Sequence, residues 1–279
     1  MTVPGGTTAR RAEGAGRDAH DSAWLDHAAR AGLVAYAVVY LMVGWLAVQL
    51  ALGDREGKPS SSGAMHELAQ QPFGGVLVWV VTIGMFLLVL WKVLDAAFGH
   101  RDEQDGGKRT RARLASAGKA VVYAVIGFSG LKVAMGSSGS SGKGQKSWTA
   151  SLMELPAGQL LVGVVGLAII GYGAYQGYKA WTEDFADKLD AEGRSGTTGT
   201  AYIAFGKAGY TARGIAFAVV GGLVVYGAAT HDASRSGGLD QALYEVLEQP
   251  FGPVLLCLLG VGLACYGVFT LARARHLSR

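Results

Sequence analysis

From Gln70 to Val89 the chain reads QQPFGGVLVWVVTIGMFLLV, and from Glu248 to Gly267 it reads EQPFGPVLLCLLGVGLACYG. Each time the word Gln-Pro-Phe-Gly stands directly before an uncharged apolar run. An α-helix rises about 1.5 Å per residue, so about 20 apolar residues cross a bilayer. Both runs are long enough to span. Working outward from them, six stretches qualify: Gly32–Leu52, Gly75–Ala97, Ala115–Met135, Ala157–Ala180, Gly206–Ala229 and Pro253–Ala272. Each is apolar on nearly all its faces, whereas a soluble surface helix keeps one polar face.

Composition agrees. Of 279 residues, 50% are hydrophobic and 16% charged, against about 25% charged in soluble domains. The expected fold is all-α: a polytopic membrane bundle of six transmembrane helices. The 43 glycines suit helices whose backbones approach closely, and Gly173 with Gly177, and Gly214 with Ala218, are the expected tight crossings. The net charge of +4 is split among short loops, which fits anionic lipid and gives no reason to expect nucleic acid. Cys257 and Cys265 share one apolar run, so they read as packing residues rather than a disulfide or zinc site. No metal or cofactor is expected.

Lys and Arg set the expected orientation. The N-terminal segment, the even-numbered connections and the C-terminus hold most of them, including Arg30, Arg113, Lys188, Lys207 and Arg275; the odd connections hold few. By the positive-inside rule both termini face the cytoplasm, and the protein belongs in the inner (cytoplasmic) membrane. Residues 1–23 are polar and read as a disordered cytoplasmic tail, with the first span an uncleaved anchor.

The repeated word marks an internal repeat. Anchoring the even spans on Pro72, Pro156 and Pro250 places Gly74, Gly158 and Gly252 two residues after, and Leu88, Tyr172 and Tyr266 further along. The odd spans align on Gly44, Gly127 and Gly221, with Tyr40, Tyr123 and Phe217 upstream, and Arg30, Arg113 and Lys207 beyond them. One two-helix hairpin is written three times, about 84 to 94 residues apart. The expected units are 24–100, 101–182 and 183–279. Each copy has an even number of spans, so the copies are parallel and related by a pseudo-threefold axis. The prolines are expected in the first helical turn, where a missing N–H costs nothing. Upstream apolar positions (Ala64, Leu68, Ala69; Trp148, Leu152, Met153; Ala242, Val246, Leu247) mark short amphipathic helices lying at the outer interface.

The words GKAGYTARGIAFAVVGGL from Gly206 and EQPFGPVLLCLLGVGLACYG from Glu248 resemble the bacterial membrane family called domain of unknown function 1206 (DUF1206). In that family a two-span unit occurs three times. The third copy fits best; the second replaces Gln-Pro-Phe-Gly with Leu155-Pro156-Ala157-Gly158. The resemblance implies architecture and no reaction. The Ala/Gly/Val/Arg-rich composition also resembles proteins of actinobacteria.

Three function classes remain. A non-enzymatic structural component that interacts with lipid or with a membrane-protein partner, including a second copy, fits best. Arg30, Lys92, Arg113, Lys119, Lys207 and Arg213 are its candidate anionic-lipid contacts, beside the simpler role of snorkelling charges. A small-solute transporter or pore along the axis comes next, with Tyr172 and Tyr266 as candidate lining. An intramembrane hydrolase comes third. Its hook is Gly127-Phe-Ser-Gly130, which resembles the short word of rhomboid-type proteases, but no histidine falls deep in a span to activate Ser129.

Overall fold

The computed structural model describes residues 23–54, 57–98, 106–136, 158–230, 232 and 238–277. In chain order the helices are α1 (Ala23–Ala51), α2 (Ser61–Gln70), α3 (Gly74–Phe98), α4 (Gly106–Ala134), α5 (Gly158–Thr182), α6 (Ala191–Arg194), α7 (Gly196–Ala229), α8 (Leu239–Leu247) and α9 (Gly252–Arg275). Six of them, α1, α3, α4, α5, α7 and α9, are long and apolar enough to cross a membrane. Pro156, the Trp148–Leu152–Met153 face and all of the expected tail except Ala23 lie outside the described residues.

Glycine sets how the spans meet. Along α5 and α7, the Gln159 amide donates to the Ala228 carbonyl (2.7 Å). Seven residues on and seven back, Gly166 faces Gly221, and Gly173 then faces Gly214. The pairing is antiparallel and close: a Cβ on Gly173 would sit 2.7 Å from the Gly214 oxygen, and one on Gly214 2.9 Å from the Gly173 oxygen. This is the crossing expected from the small-residue spacing. Gly177 takes part through its backbone, since a Cβ there would meet open space. The pair α9–α1 repeats the arrangement, with Gly44 against the Gly260 carbonyl and Gly267 against the Ala37 carbonyl. In the third equivalent pair, α3–α4, Thr82 replaces the glycine and stands against Gly130, while a Cβ on Gly127 would meet Met85 and Phe86 at 3.5 Å.

These three interfaces, α3–α4, α5–α7 and α9–α1, join successive copies around the pseudo-threefold axis. Within copies, α1 packs on α3 and α7 on α9, but α4 and α5 share no extended interface. The second hairpin is splayed. Accordingly α5 buries only 22% of its apolar window and α4 33%, against 56% for α1.

The Gln-Pro-Phe-Gly word is a turn, not the first helical turn. The Gly74 N–H donates to the Gln71 carbonyl and the Gly252 N–H to the Gln249 carbonyl, both at 2.7 Å. Proline holds the second position, whose φ it presets. Phe73 (φ 62°) and Phe251 (φ 61°) are left-handed at the third, where glycine is usual. Helix begins only at Gly74 and Gly252, and the proline inside the first turn of α9 is Pro253. A side chain on Gly74 or Gly252 would collide with the carbonyls ending the preceding short helix, so the fourth letter is fixed sterically. Both Phe rings are over 80% exposed, placed where the chain enters the apolar layer.

The short helices α2 and α8 turn their apolar faces onto the bundle. They bury Ala64, Met65 and Leu68, and Ala242 and Leu243; Ala64, Leu68 and Ala242 were expected on this face, while Ala69, Val246 and Leu247 are half-buried. They cap the end of the bundle called here the loop end, because α2 packs on α1, α3 and α4, and α8 on α7 and α9.

At the opposite, basic end, the connection from α5 to α7 folds into the bundle. Phe185 is fully buried, stacked on Tyr210 (5.0 Å) and edge-on to Phe269 (5.1 Å). Leu189 pairs with Leu277, and the Asp190 N–H donates to the His276 carbonyl (3.0 Å). Asp190 also caps α6 by accepting from the Gly193 N–H (2.7 Å) and lies 3.2 Å from His276 Nδ1. The backbone bond first, and His276 second, hold its carboxyl below the usual range.

Candidate functional site

The repeat stacks three polar positions at the basic end. Eight residues before the anchoring glycines stand Tyr36, Lys119 and Arg213. Twenty after the prolines stand Lys92, Gln176 and Thr270, and three further on Asp95, Lys179 and Arg273. The middle triad is buried in all three copies. A residue buried in every copy faces the interior, so the middle position lies inside the bundle; of the other two triads Tyr36 and Arg213 are buried and Lys119, Asp95, Lys179 and Arg273 half-buried.

Arg213 of α7 is 5% exposed. Measured along α7 it lies about 24 Å from Ala229 at the loop end, well inside the span. Its guanidinium stacks 4.2 Å from the Tyr266 ring, 5.1 Å from Tyr40 and 5.5 Å from Phe217. These faces supply cation–π attraction of roughly 2 kcal/mol when desolvated. The rings brace one another: Tyr36 meets Tyr40 (4.8 Å), Tyr123 (4.9 Å) and Tyr266 (6.2 Å) edge-on, and Tyr210 meets Tyr266 (5.3 Å). The Tyr36 hydroxyl donates to that of Tyr40 (3.2 Å). The Arg213 Nε is sealed from solvent and has no hydrogen-bond partner among the described residues.

Toward the basic end lies a second layer. Lys92 is buried, pairs with Asp95 at 2.7 Å and lies 3.8 Å over the Trp91 ring. Asp95 also accepts from Ser116 of α4 (2.9 Å). Lys119 of α4 is within electrostatic reach of Lys92, Arg273, Lys179 and Asp95, so α3, α4, α5 and α9 all contribute charge to one region. Among the described residues no carboxylate lies at ion-pair distance from Lys119, Lys179, Arg213 or Arg273. The Nε atoms of Arg113 and Arg273 and the Nε2 of Gln176 are also sealed, without partners among the described residues.

Of the six candidate lipid contacts, Lys92 and Arg213 therefore belong to the interior, and Lys119 is half-buried beside them. Arg113 is half-buried. Arg30 is exposed and near Asp190, and Lys207 is exposed and paired with Glu183 at 3.0 Å. Sequence reasoning missed Tyr36, Gln176, Thr270 and Arg273 as members of the cluster, although their common offsets within the repeat were there to be found. Ser129 donates to the carbonyl of Val125 in its own helix (2.9 Å). Among the described residues no group of three His, Cys, Asp or Glu is placed to hold a metal.

Six apolar spans in three parallel hairpins, with cations gathered inside one end, define a multi-pass integral membrane helix bundle. The chain belongs to the family described as Domain of Unknown Function (DUF1206), whose model matches residues 31–99, 114–183 and 208–276, once per hairpin. An uncharacterized protein of Bacillus subtilis (strain 168), YxxB, is 30% identical over 253 residues, covering 90% of each chain. A Bacillus relative lends no support to the actinobacterial expectation. No solved structure matches the chain.

Proposed function

We propose that this protein is a non-enzymatic component of the bacterial cytoplasmic membrane, with both termini in the cytoplasm, that holds anionic lipid at its basic end. The charge distribution carries the reading. Within the six spans stand ten Lys or Arg and two carboxylates, Asp26 and Asp95, and nine of the ten cations are at the basic end. Basic residues near a cytoplasmic surface each contribute about 1 kcal/mol of attraction to anionic lipid. The same asymmetry supports the orientation. The Ser129 hydroxyl, bonded to its own helix, is not poised as a nucleophile, which supports the non-enzymatic reading.

The test is native mass spectrometry of the full-length protein released from bacterial membranes in mild detergent. Retained phosphatidylglycerol or cardiolipin is expected, in preference to phosphatidylethanolamine. Protein free of lipid, or retaining these lipids in proportion to their abundance, would overturn the reading. A stoichiometric co-purifying protein without lipid would replace it with a protein-partner role.

A further inference from the structure

We propose that the interior of the basic end is a built site for one anionic phospholipid headgroup, which enters sideways between α4 and α5. The proposal rests on the anionic-lipid reading and narrows it from a charged surface to one place.

Three observations converge. First, among the described residues the sealed groups at this end without a hydrogen-bond partner are donors: the Nε atoms of Arg213 and Arg273 and the Nε2 of Gln176, with the Nε of half-buried Arg113. Buried polar groups are almost always hydrogen-bonded, so a surplus of donors calls for an acceptor-only guest. Second, Asp95 is engaged by Lys92 and Ser116, and among the described residues no carboxylate lies at ion-pair distance from Lys119, Lys179 or Arg273. A phosphodiester supplies both a charge and several acceptor oxygens, and a guanidinium binds it as a fork. Third, the bundle has an entrance. The other two hairpins are packed, but α4 and α5 are not. They bury the least of their apolar windows, and Lys119 on one and Lys179 on the other feel each other's charge. A headgroup can reach those cations while its acyl chains lie along the uncovered apolar walls of the two helices.

The full-length protein is reconstituted in dioleoylphosphatidylcholine nanodiscs containing a minor fraction of dioleoylphosphatidylglycerol. Retained phosphatidylglycerol is counted by native mass spectrometry after stepwise delipidation. The interior pair Arg213→Gln/Lys119→Gln is compared with the peripheral pair Arg30→Gln/Lys207→Gln. One tightly held phosphatidylglycerol is expected in the unmodified chain. The interior pair weakens it at least about tenfold, and the peripheral pair changes it less than about twofold. Should the interior pair not purify as a monodisperse species, Arg273→Gln and Arg213→Lys take its place, with loss of the tight lipid in the first and weakening of at least about threefold in the second, which keeps the charge but not the fork.

Equal losses in interior and peripheral pairs would overturn the interior site while leaving surface attraction intact. No retained lipid in the unmodified chain would sink both readings. Inorganic phosphate displacing the lipid at millimolar concentration, or binding equally in pure phosphatidylcholine discs, would make the guest a free anion and overturn lateral lipid entry.

Discussion

Replacing Gly173 by alanine probes the closest crossing in the bundle. The new Cβ would sit 2.7 Å from the Gly214 oxygen and 2.9 Å from the Ala218 nitrogen. Ordinary contact begins near 3.4 Å, so α5 must withdraw from α7 by about 0.7 Å. Both obstructing atoms are main chain within a helix and cannot rotate aside. Overpacking of this kind costs roughly 1–3 kcal/mol, while alanine recovers about 0.5–1 kcal/mol of helix propensity over glycine. Gly171→Ala, two residues away on the same helix, is the internal control, since its Cβ would meet nothing within 4 Å. It takes the propensity gain without the clash. The two variants therefore differ by about the overpacking term. At about 2–4 °C per kcal/mol for a chain of this size, Gly173→Ala should melt about 2–12 °C below Gly171→Ala in the same detergent. The assay is thermal unfolding followed by intrinsic fluorescence. If Gly173→Ala melts at or above Gly171→Ala, the close approach of α5 and α7, and with it the placement of the second and third copies, is wrong.

The connection between α5 and α7 should loosen in acid. The Asp190 carboxyl is held below its ordinary value near about 3.9, so its contribution is complete above that unfolded-state value and is lost as pH falls through the depressed folded one. Amide-exchange protection across residues 191–195, corrected for intrinsic rates, should hold above and drop as pH falls below about 4 in the unmodified chain and stay level in Asp190→Asn, which still accepts from Gly193 but does not titrate. Parallel curves would show that Asp190 does not tie this segment. Orientation is checked in a chain with Cys257 and Cys265 changed to serine. A membrane-impermeant maleimide should label Leu52→Cys in intact cells and Thr197→Cys only after permeabilisation. The reverse pattern would invert the proposed topology.

Much of the fold was legible because a bilayer imposes one strong rule: a spanning helix must be apolar for its whole crossing. Predicted Gly75–Ala97 became Gly74–Phe98, and Pro253–Ala272 became Gly252–Arg275. The largest boundary difference is in α7, which starts at Gly196 rather than Gly206. Hydropathy locates the apolar layer, not the helix, and the helix continues through polar residues beyond it. The Gly173–Gly214 crossing was also legible, since small residues one turn apart leave a groove in any helix. The site was only partly so. Arg213, Lys119 and Lys92 read as a ring of snorkelling cations, because distance from a span end says nothing about which way a residue faces. Direction comes from packing, and here it buries Lys92 and Arg213 and leaves Lys119 half-buried. The burial of Phe185 had no signal in its own neighbourhood: a short polar loop carrying one aromatic looks the same whether that ring is in solvent or under two helices.

The remaining asymmetry argues about function more than the symmetry does. A pore on a threefold axis is served by the same residue three times, so that a passing solute meets a uniform ring. Here each interior position holds three different groups: Tyr36, Lys119 and Arg213; Lys92, Gln176 and Thr270; Asp95, Lys179 and Arg273. The acid falls in the first copy, and cations with no ion-pair partner among the described residues fall in the second and third. The second copy is also the one whose hairpin is open. Thr82, standing where the other copies have Gly166 and Gly260, shows the same loss of equivalence at an interface. Repetition supplied a frame in which three helices aim side chains at one point. Divergence among the copies then made that point chemically lopsided, as a site for a single asymmetric guest requires and a symmetric conduit does not.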